Sequence, residues 1–254
     1  MLKRRAVVQK VVIEGQGEIA LLRLNGGVTN ALNPELVEDL GEALRTVERR
    51  FRGLVLAGGE KFFSMGLDLP TLIPMERDEF TEFYVAFNRV VLALFTLPMP
   101  TCCAIAGHAV AGGTIIALGC DYRFAVSEKK LGLNEIRLGV PVPYLADLIL
   151  RQIVGDRQAT EMIYGGDFLA ATDAARFGLV DALHARETLD ARAVEKVTAI
   201  ASHPHKAFIE IKKNRVESIR DRYEQCHIAK NNAFIDCWFS DPVRRLLDAA
   251  AQKF

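Results

Sequence analysis

The chain has 254 residues, half of them hydrophobic, and equal numbers of acidic and basic side chains. This length is sufficient for one large hydrophobic core. A formal net charge of zero gives no reason to expect a nucleic acid or an anionic membrane as a partner. The basic residues 3–5 are not followed by a long apolar segment. We therefore predict neither a secretory signal nor a membrane-spanning helix, and we expect a cytoplasmic protein.

The cysteines and histidines are not spaced as a disulfide framework or a metal site. The chain has five cysteines, an odd number, without a CxxC pair. We interpret them as reduced core residues. A catalytic cysteine is the alternative, but Cys102 and Cys103 lie in an apolar run that is typical of a buried strand. The five histidines lack the spacing of metal ligands, so no metal is expected.

The first half of the chain alternates short apolar runs with helical patterns. Residues 10–17 and 18–25 predict a β-hairpin that turns at Gly15-Gln16-Gly17. Asn33 followed by Pro34 predicts the start of a helix, because asparagine caps a helix and proline fits its first turn. Apolar residues then recur at helical spacing from Leu36 to Val47.

The rest of the chain continues this alternation and then becomes helical. Residues 53–58, 101–107 and 122–126 predict buried strands, and residues 78–95 predict a helix with an aromatic face. From about residue 144 the pattern is almost entirely helical, with breaks near Gly155, Gly165-Gly166, Gly178 and Pro204. This order predicts one α/β core with a C-terminal helical region.

Two glycine-containing turns follow buried strands and invite a functional interpretation. Gly112 and Gly113 precede an apolar helical run, and residues 64–68, Ser-Met-Gly-Leu-Asp, form the other turn. Glycine lets a ligand approach the backbone closely, and two converging amides stabilise a developing oxyanion. The alternative is that the glycines only permit tight turns, and the Gly112-Gly113 pair alone favours that interpretation.

Glu135 is an acidic residue within the mostly apolar segment 132–140. An exposed helix-capping glutamate is one interpretation. The other is a glutamate that faces an apolar pocket, where its pKa would rise and it could exchange protons near neutral pH.

Five segments in order resemble the enoyl-CoA hydratase/isomerase (crotonase) superfamily. They are NALNPEL (30–36), FFSMGLDL (62–69), AIAGHAVAGGTIIALGCDYRFA (104–125), LGLNEIRLGV (131–140) and TDAARFGLVD (172–181). Each motif alone is loose, but five in the family order and spacing are specific.

The resemblance implies a fold, a substrate class and an assembly. The α/β fold would be the crotonase spiral of ββα units, with the acyl-CoA site in residues 1–195. The C-terminal helical region, residues 196–254, would build a homotrimer or a hexamer. Substrates would be acyl-CoA thioesters, so coenzyme A would be part of the substrate and no separate cofactor is expected.

The resemblance also implies which residues form the site. Backbone amides of Leu67 and Gly112 would hold the thioester oxygen. Their neighbours would contact the substrate: Ser64, Met65, Gly66, Asp68, Ala111, Gly113 and Ile115. Met65 stands where the family usually has alanine, and Ala111 where it usually has glycine, but neither change removes a backbone N–H. Asp68 and Asp121 recur in the family pattern, and we interpret both as structural.

The acidic residues distinguish between the reactions of the family. Its hydratases use two glutamates. The position of the first is Ile115 here, and the second matches Glu135. The segment GLNEIRLGVPVPYLADLI (132–149) is similar to the mitochondrial type of delta-3, delta-2-enoyl-CoA isomerase, in which the matching glutamate is the base. We therefore expect an isomerase of fatty-acid or related acyl-CoA degradation. A hydratase, a hydrolase using Glu135 and a non-catalytic acyl-CoA-binding member are the alternatives.

We interpret the remaining charged residues near the motifs and in the C-terminal helices as structural or solvent-exposed. Dehalogenases and several hydrolases of the family place an acid near Pro143, but residues 136–146 contain no carboxylate. Asp147 is the first, and we interpret it as a helix-surface residue. Lys212 and Lys213 could meet CoA phosphates of a neighbouring subunit, but a solvated helix face is the preferred interpretation.

Overall fold

A computed structural model describes residues 6–8 and 10–252 as a mixed α/β fold. The strands are β1 Ala6–Val8, β2 Val11–Gln16, β3 Ile19–Leu24, β4 Gly53–Ala57, β5 Phe62–Ser64, β6 Thr101–Ile105, β7 His108–Val110, β8 Tyr122–Ala125, β9 Lys130–Gly132, β10 Phe168–Ala170 and β11 Ala182–Leu183. The helices are α1 Pro34–Arg50, α2 Leu69–Leu72, α3 Arg77–Thr96, α4 Gly112–Leu118, α5 Tyr144–Val154, α6 Asp156–Gly165, α7 Ala171–Arg176, α8 Arg186–Ala201, α9 His205–Trp238 and α10 Asp241–Ala251, with a 3₁₀ helix at Glu135–Leu138. No helix in these ranges is long and apolar enough to cross a membrane.

The larger sheet has seven strands in the order β1-β2-β3-β4-β6-β8-β11. The predicted hairpin, β2 and β3, lies next to the edge strand β1, and all three strands are antiparallel. The chain turns slightly later than predicted, between Gln16 and Ile19. From β3 to β11 neighbouring strands are parallel. Their connections run through helices, as parallel pairing requires.

The start of α1 follows the predicted capping pattern. The Asn33 side chain accepts a hydrogen bond from the Leu36 amide at 3.1 Å, and Pro34 occupies the first turn. The apolar face that begins at Leu36 and ends at Val47 is buried. This cap fixes where the chain leaves the loop 25–33, which contacts one of the turns of the site.

A second, four-stranded sheet in the order β10-β9-β7-β5 was not predicted from the sequence. Strands β5, β7 and β9 are parallel to one another. Each has only three residues, which is too short to give a recognisable period-two pattern. This small sheet, rather than the large one, positions the candidate site.

The cysteines of β6 are packed in the core, as the strand prediction requires. Cys102 and Cys103 are both fully buried. Burial raises the pKa of each thiol well above its usual range. A thiol that does not ionise is a poor nucleophile, so this environment disfavours Cys102 and Cys103 as catalytic residues.

The long helix α9 is attached to the core by a buried ion pair. Lys212 is 5% exposed, and its Nζ lies 2.8 Å from Asp121 Oδ2. Asp121 also accepts hydrogen bonds from the backbone and side chain of Thr101. The interpretation of Lys212 as a solvated residue is therefore wrong, because it points into the core. Lys213 is exposed and pairs with Glu210 on the same helix.

Candidate active site

The candidate site lies where three parallel strands of the small sheet end. Strand β5 leads into the turn 64–68, β7 leads into Ala111 and Gly112, and β9 leads through Leu133 and Asn134 to Glu135. Because β5, β7 and β9 are neighbours with the same direction, their carboxyl ends meet at one edge. Such an edge is a common ligand site in parallel sheets.

The turn after β5 is held by the loop that precedes α1. Ser64 is fully buried, and its hydroxyl donates to the Asn30 carbonyl at 2.8 Å and accepts from the Gly66 amide at 3.2 Å. Backbone hydrogen bonds from Leu32 to the Gly66 carbonyl and from Asp68 to the Leu32 carbonyl fix the following residues. These bonds leave the Leu67 N–H without a partner among the described residues.

The turn after β7 brings a second amide close to the first. A methyl group added to Gly112 would lie 3.5 Å from the Leu67 nitrogen, and one added to Gly66 would lie 3.1 Å from the Gly112 nitrogen. The Gly112 N–H, like that of Leu67, donates no hydrogen bond within the part of the chain that the structure describes. The two amides therefore lie close together, which is one requirement of an oxyanion hole.

Ala111 has an unusual backbone conformation that helps to create this turn. Its φ is +46° and its ψ is −112°, a combination that favours glycine. Its own amide donates to the Gly132 carbonyl at 2.8 Å. Gly113 is sterically required next to it, because a Cβ there would lie 2.3 Å from the Ser64 carbonyl oxygen. Backbone strain is thus concentrated beside the Gly112 amide.

These turns open into a cavity of about 290 Å³. Its lining is almost entirely apolar and aromatic: Met65, Leu67, Leu69, Tyr84, Phe87, Val110, Ala111, Gly112, Ile115, Asn134, Glu135, Leu138, Val140, Pro143, Phe168, Phe234, Trp238 and Ala250. Among the described residues that line this cavity, Glu135 is the only one with a carboxyl side chain. An apolar pocket with few polar groups is typical of a small-molecule site.

Glu135 begins the 3₁₀ helix and is 5% exposed. Its Oε2 atom is buried and accepts no hydrogen bond from any described residue. Burial raises the pKa of this carboxyl to about 8. A carboxyl group with this pKa can both accept and donate a proton near neutral pH. The helix-capping interpretation of Glu135 is wrong, because the side chain is buried in the cavity wall.

Two further polar atoms of the lining are buried and unpaired within the described ranges. They are Oδ1 of Asn134 and Nε1 of Trp238. Buried polar atoms normally have partners, and three such atoms in one cavity, counting Glu135 Oε2, make this cavity a candidate binding site.

The predicted site residues divide into two groups in the structure. Six line the cavity: Met65, Leu67, Ala111, Gly112, Ile115 and Glu135. Four others support the turns without appearing in the lining: Ser64, Gly66, Asp68 and Gly113. Asp68 caps α2, where its side chain accepts from the Thr71 amide at 3.3 Å.

Sequence reasoning missed the aromatic wall of the cavity. Tyr84 and Phe87 come from α3, and Phe234 and Trp238 come from α9. Tyr84 stacks on Phe234 with ring centroids 4.1 Å apart. The aromatic face of α3 was visible in the sequence. Its partner residues lie far away in the chain, and no pattern in α9 indicated which of its faces meets α3.

Asp147 is not a simple surface residue. It lies in the first turn of α5 and lines a neighbouring cavity, not the one that holds Glu135. Burial raises the pKa of its carboxyl, and nearby Arg151 partly opposes this shift. Its position outside the first cavity agrees with the argument against a family acid near Pro143.

The enoyl-CoA hydratase/isomerase family model matches residues 14–246. The chain therefore belongs to this family, and its fold is the crotonase fold. Members of the family act on acyl-CoA substrates, and this chain is an enzyme of the family.

Individual relatives carry both names of the family. A short-chain-enoyl-CoA hydratase of Clostridium acetobutylicum is 27% identical, over 97% of this chain and 96% of that protein. The crystal structure of human mitochondrial delta3-delta2-enoyl-CoA isomerase has a TM-score of 0.92 at 24% identity, covering 96% of this chain and 98% of that chain. An enoyl-CoA hydratase structure from Bacillus anthracis has a TM-score of 0.79 at 26% identity, covering 96% of this chain and 97% of that chain.

Proposed function

We propose that the protein isomerises 3-enoyl-CoA to 2-enoyl-CoA, with Glu135 as the base and the Leu67 and Gly112 amides as the oxyanion hole. The observation that carries the proposal is the content of the cavity, in which Glu135 is the single carboxylic acid. Ile115, at the position of the first hydratase glutamate, can neither bind a proton nor orient water. Bond migration needs one proton-transferring group, whereas hydration in this family uses two.

The reaction follows from these groups. The Glu135 carboxylate removes a proton from C2 of the substrate, and the electron pair moves toward the thioester carbonyl. The resulting dienolate carries its negative charge on the carbonyl oxygen, which accepts hydrogen bonds from Leu67 and Gly112. Protonated Glu135 then returns the proton to C4, and the double bond forms between C2 and C3. No atom is gained or lost, and the base is regenerated.

The raised pKa of Glu135 suits this task. A carboxyl with a pKa of about 8 is a stronger base than an exposed carboxylate, so less free energy separates it from a weakly acidic C2 proton. The apolar lining also excludes water, which would otherwise compete for the intermediate.

A direct assay separates isomerisation from hydration. Purified protein mixed with a 3-enoyl-CoA should raise the ultraviolet absorbance of the conjugated 2-enoyl thioester. A 2-enoyl-CoA offered in parallel should keep its absorbance. Rapid loss in the second reaction would overturn the proposal and favour a hydratase that works with one glutamate. Hydratase is also the activity in the name of the Clostridium relative.

Two variants test the roles of the groups. Glu135→Gln should abolish turnover and retain CoA-ester binding, and a variant that stays active would exclude Glu135 as the base. Gly112→Ala keeps the backbone N–H but adds a methyl group 2.9 Å from Leu32 Cδ1 and 3.5 Å from the Leu67 nitrogen. This crowding should displace the substrate oxygen from the Leu67 N–H and lower kcat, by about 100-fold if the contact with that donor is lost. Gly41→Ala in α1, outside the cavity, is the matched control and should leave kcat unchanged.

Turnover also decides against a non-catalytic member. A protein that binds CoA esters but turns over neither 3-enoyl-CoA nor 2-enoyl-CoA would be an acyl-CoA-binding protein with a relic site. We further propose that the C-terminal helices support assembly into a homotrimer or hexamer, which light scattering of the purified protein would measure.

A further inference from the structure

A second cavity lies directly beside the one that holds Glu135. It measures about 640 Å³, more than twice the volume of the first. Four residues line both cavities: Tyr84, Val140, Pro143 and Phe234. Among the described residues, these four, which we call the partition, are common to both linings and therefore lie between the two cavities.

The aromatic half of the partition is tightly packed. Tyr84 and Phe234 are 1% and 2% exposed, and their rings are stacked at 4.1 Å with an angle of 15° between their planes. Behind them, Phe80 stacks on Trp238 at 4.3 Å. Each ring is held between neighbours from the facing helix, so opening this wall requires breaking an extended aromatic contact between α3 and α9.

The two sides of the partition differ in chemistry. The first cavity is apolar apart from Glu135 and its neighbour Asn134. The second contains Asp147, Arg151 and Lys230, whose charges are partly solvated. An alkyl chain is favoured in the first cavity, and the apolar part of the second lining, which includes Ile136, Val142 and Ile163, would accept the end of a longer chain if the partition were opened. The partition therefore limits the length of apolar space that an acyl group can reach.

The volume of the first cavity limits the length of the acyl group. At about 290 Å³ it has less than half the volume of the second cavity. The thioester carbonyl and the reacting carbons near Glu135 take up part of this space. We therefore expect the first cavity alone to accommodate a medium-length acyl chain better than a long fatty acyl chain.

We propose that the Tyr84–Phe234 ring pair determines which acyl-chain lengths the protein binds. The two rings close the first cavity behind medium-length acyl groups and prevent the ends of longer chains from entering the second cavity. This inference rests on the proposed function insofar as the first cavity is taken to bind the acyl group. It assigns a specificity role to two residues that take no part in the proton transfer.

The test measures binding rather than turnover. Dissociation constants of saturated six-, ten- and sixteen-carbon acyl-CoA thioesters are measured by calorimetry, each below its micelle-forming concentration. The native protein should bind the sixteen-carbon thioester at least about tenfold more weakly than the ten-carbon one. Phe234→Ala joins the two cavities and should strengthen sixteen-carbon binding about tenfold, while six-carbon binding stays within about twofold.

Matched variants identify the cause of any change. Phe80→Ala also removes a buried ring from the same stack, but Phe80 lines neither cavity, so it should lower thermal stability without shifting the length preference. Tyr84→Phe keeps the ring and should keep the limit. Phe234→Leu provides a milder opening if the alanine variant does not fold.

Three results would overturn the inference. They are equal affinity of the native protein for ten- and sixteen-carbon thioesters, an unchanged limit in a folded Phe234 variant, and an equal gain with Phe80→Ala. Saturated thioesters are not turned over, so these affinities do not depend on the reaction. Failure of the isomerase assay would leave them untouched, and the two proposals can fail separately.

Discussion

Replacement of Glu135 by glutamine should change how stability depends on pH. The folded carboxyl has a pKa of about 8, compared with about 4.5 in an unfolded chain. Between these values the unfolded state gives up a proton that the folded state keeps. The free energy of unfolding therefore falls as pH rises, by about 1.4 kcal/mol for each pH unit. Over the whole window the loss is at most about 5 kcal/mol. It is absent below about pH 4.5 and complete above about pH 8.

Urea unfolding of the native protein and of Glu135→Gln measures this effect. Glutamine has nearly the same shape but does not ionise, so its own burial cost is independent of pH. The difference between the two free energies should grow in favour of glutamine from about pH 5 to about pH 9. Taking the difference removes the contribution of every other titrating group that the two proteins share.

A matched substitution shows whether the effect belongs to the buried site. Glu128→Gln removes an exposed carboxylate from the loop between β8 and β9 and should give a profile parallel to that of the native protein. Parallel profiles for Glu135→Gln as well would refute the reasoning, because they would mean that Glu135 ionises as readily in the folded chain as in the unfolded one.

Three further predictions concern the same cavity. Isomerase kcat/KM should rise with pH to a plateau above about pH 8, since Glu135 acts as the carboxylate, and a flat profile from about pH 6 to pH 9 would contradict its role as the base. Ile115→Glu should increase hydration of 2-enoyl-CoA, measured by loss of ultraviolet absorbance. It should also lower stability, because it buries a charge at a position that is 2% exposed. A folded variant without added hydration would count against the assigned role of this position. Ala111→Gly should raise the free energy of unfolding by about 1 kcal/mol. The backbone strain at φ +46° costs about 1–3 kcal/mol, and its release exceeds the entropy cost of glycine in the unfolded chain. Ala109→Gly in the regular strand β7 is its control and should destabilise.

The sequence predicted best the features that depend on local chemistry. The Asn33 cap needs only an asparagine followed by proline and an apolar helical face. Glu135 was noticeable as a carboxylate in an apolar segment, but this left a buried acid and an exposed cap as alternatives, and the family resemblance was needed to imply its role as a base. The glycine turns were also recognisable locally, because glycine permits backbone conformations that other residues rarely adopt.

Features that depend on packing between distant segments were not predictable. The small sheet consists of three-residue strands, which are stable only because they pair with one another. The Tyr84–Phe234 contact joins two helices that lie far apart in the sequence. Lys212 looked like a surface residue because its partner, Asp121, is contributed by another element. In each case the missing information was which faces meet, and periodicity within one element does not contain it.

Glu135 and the pocket around it are completed at different stages of synthesis. Leu67, Gly112 and Glu135 have all left the ribosome before α9 is made, while Phe234, Trp238 and the Ala250 position of α10 follow last. A nascent chain thus has its reactive groups before it has the wall that shields them from water. Ligand binding should therefore slow the exchange of amide hydrogens in α9 and α10, because a bound ligand stabilises the helices that complete the cavity.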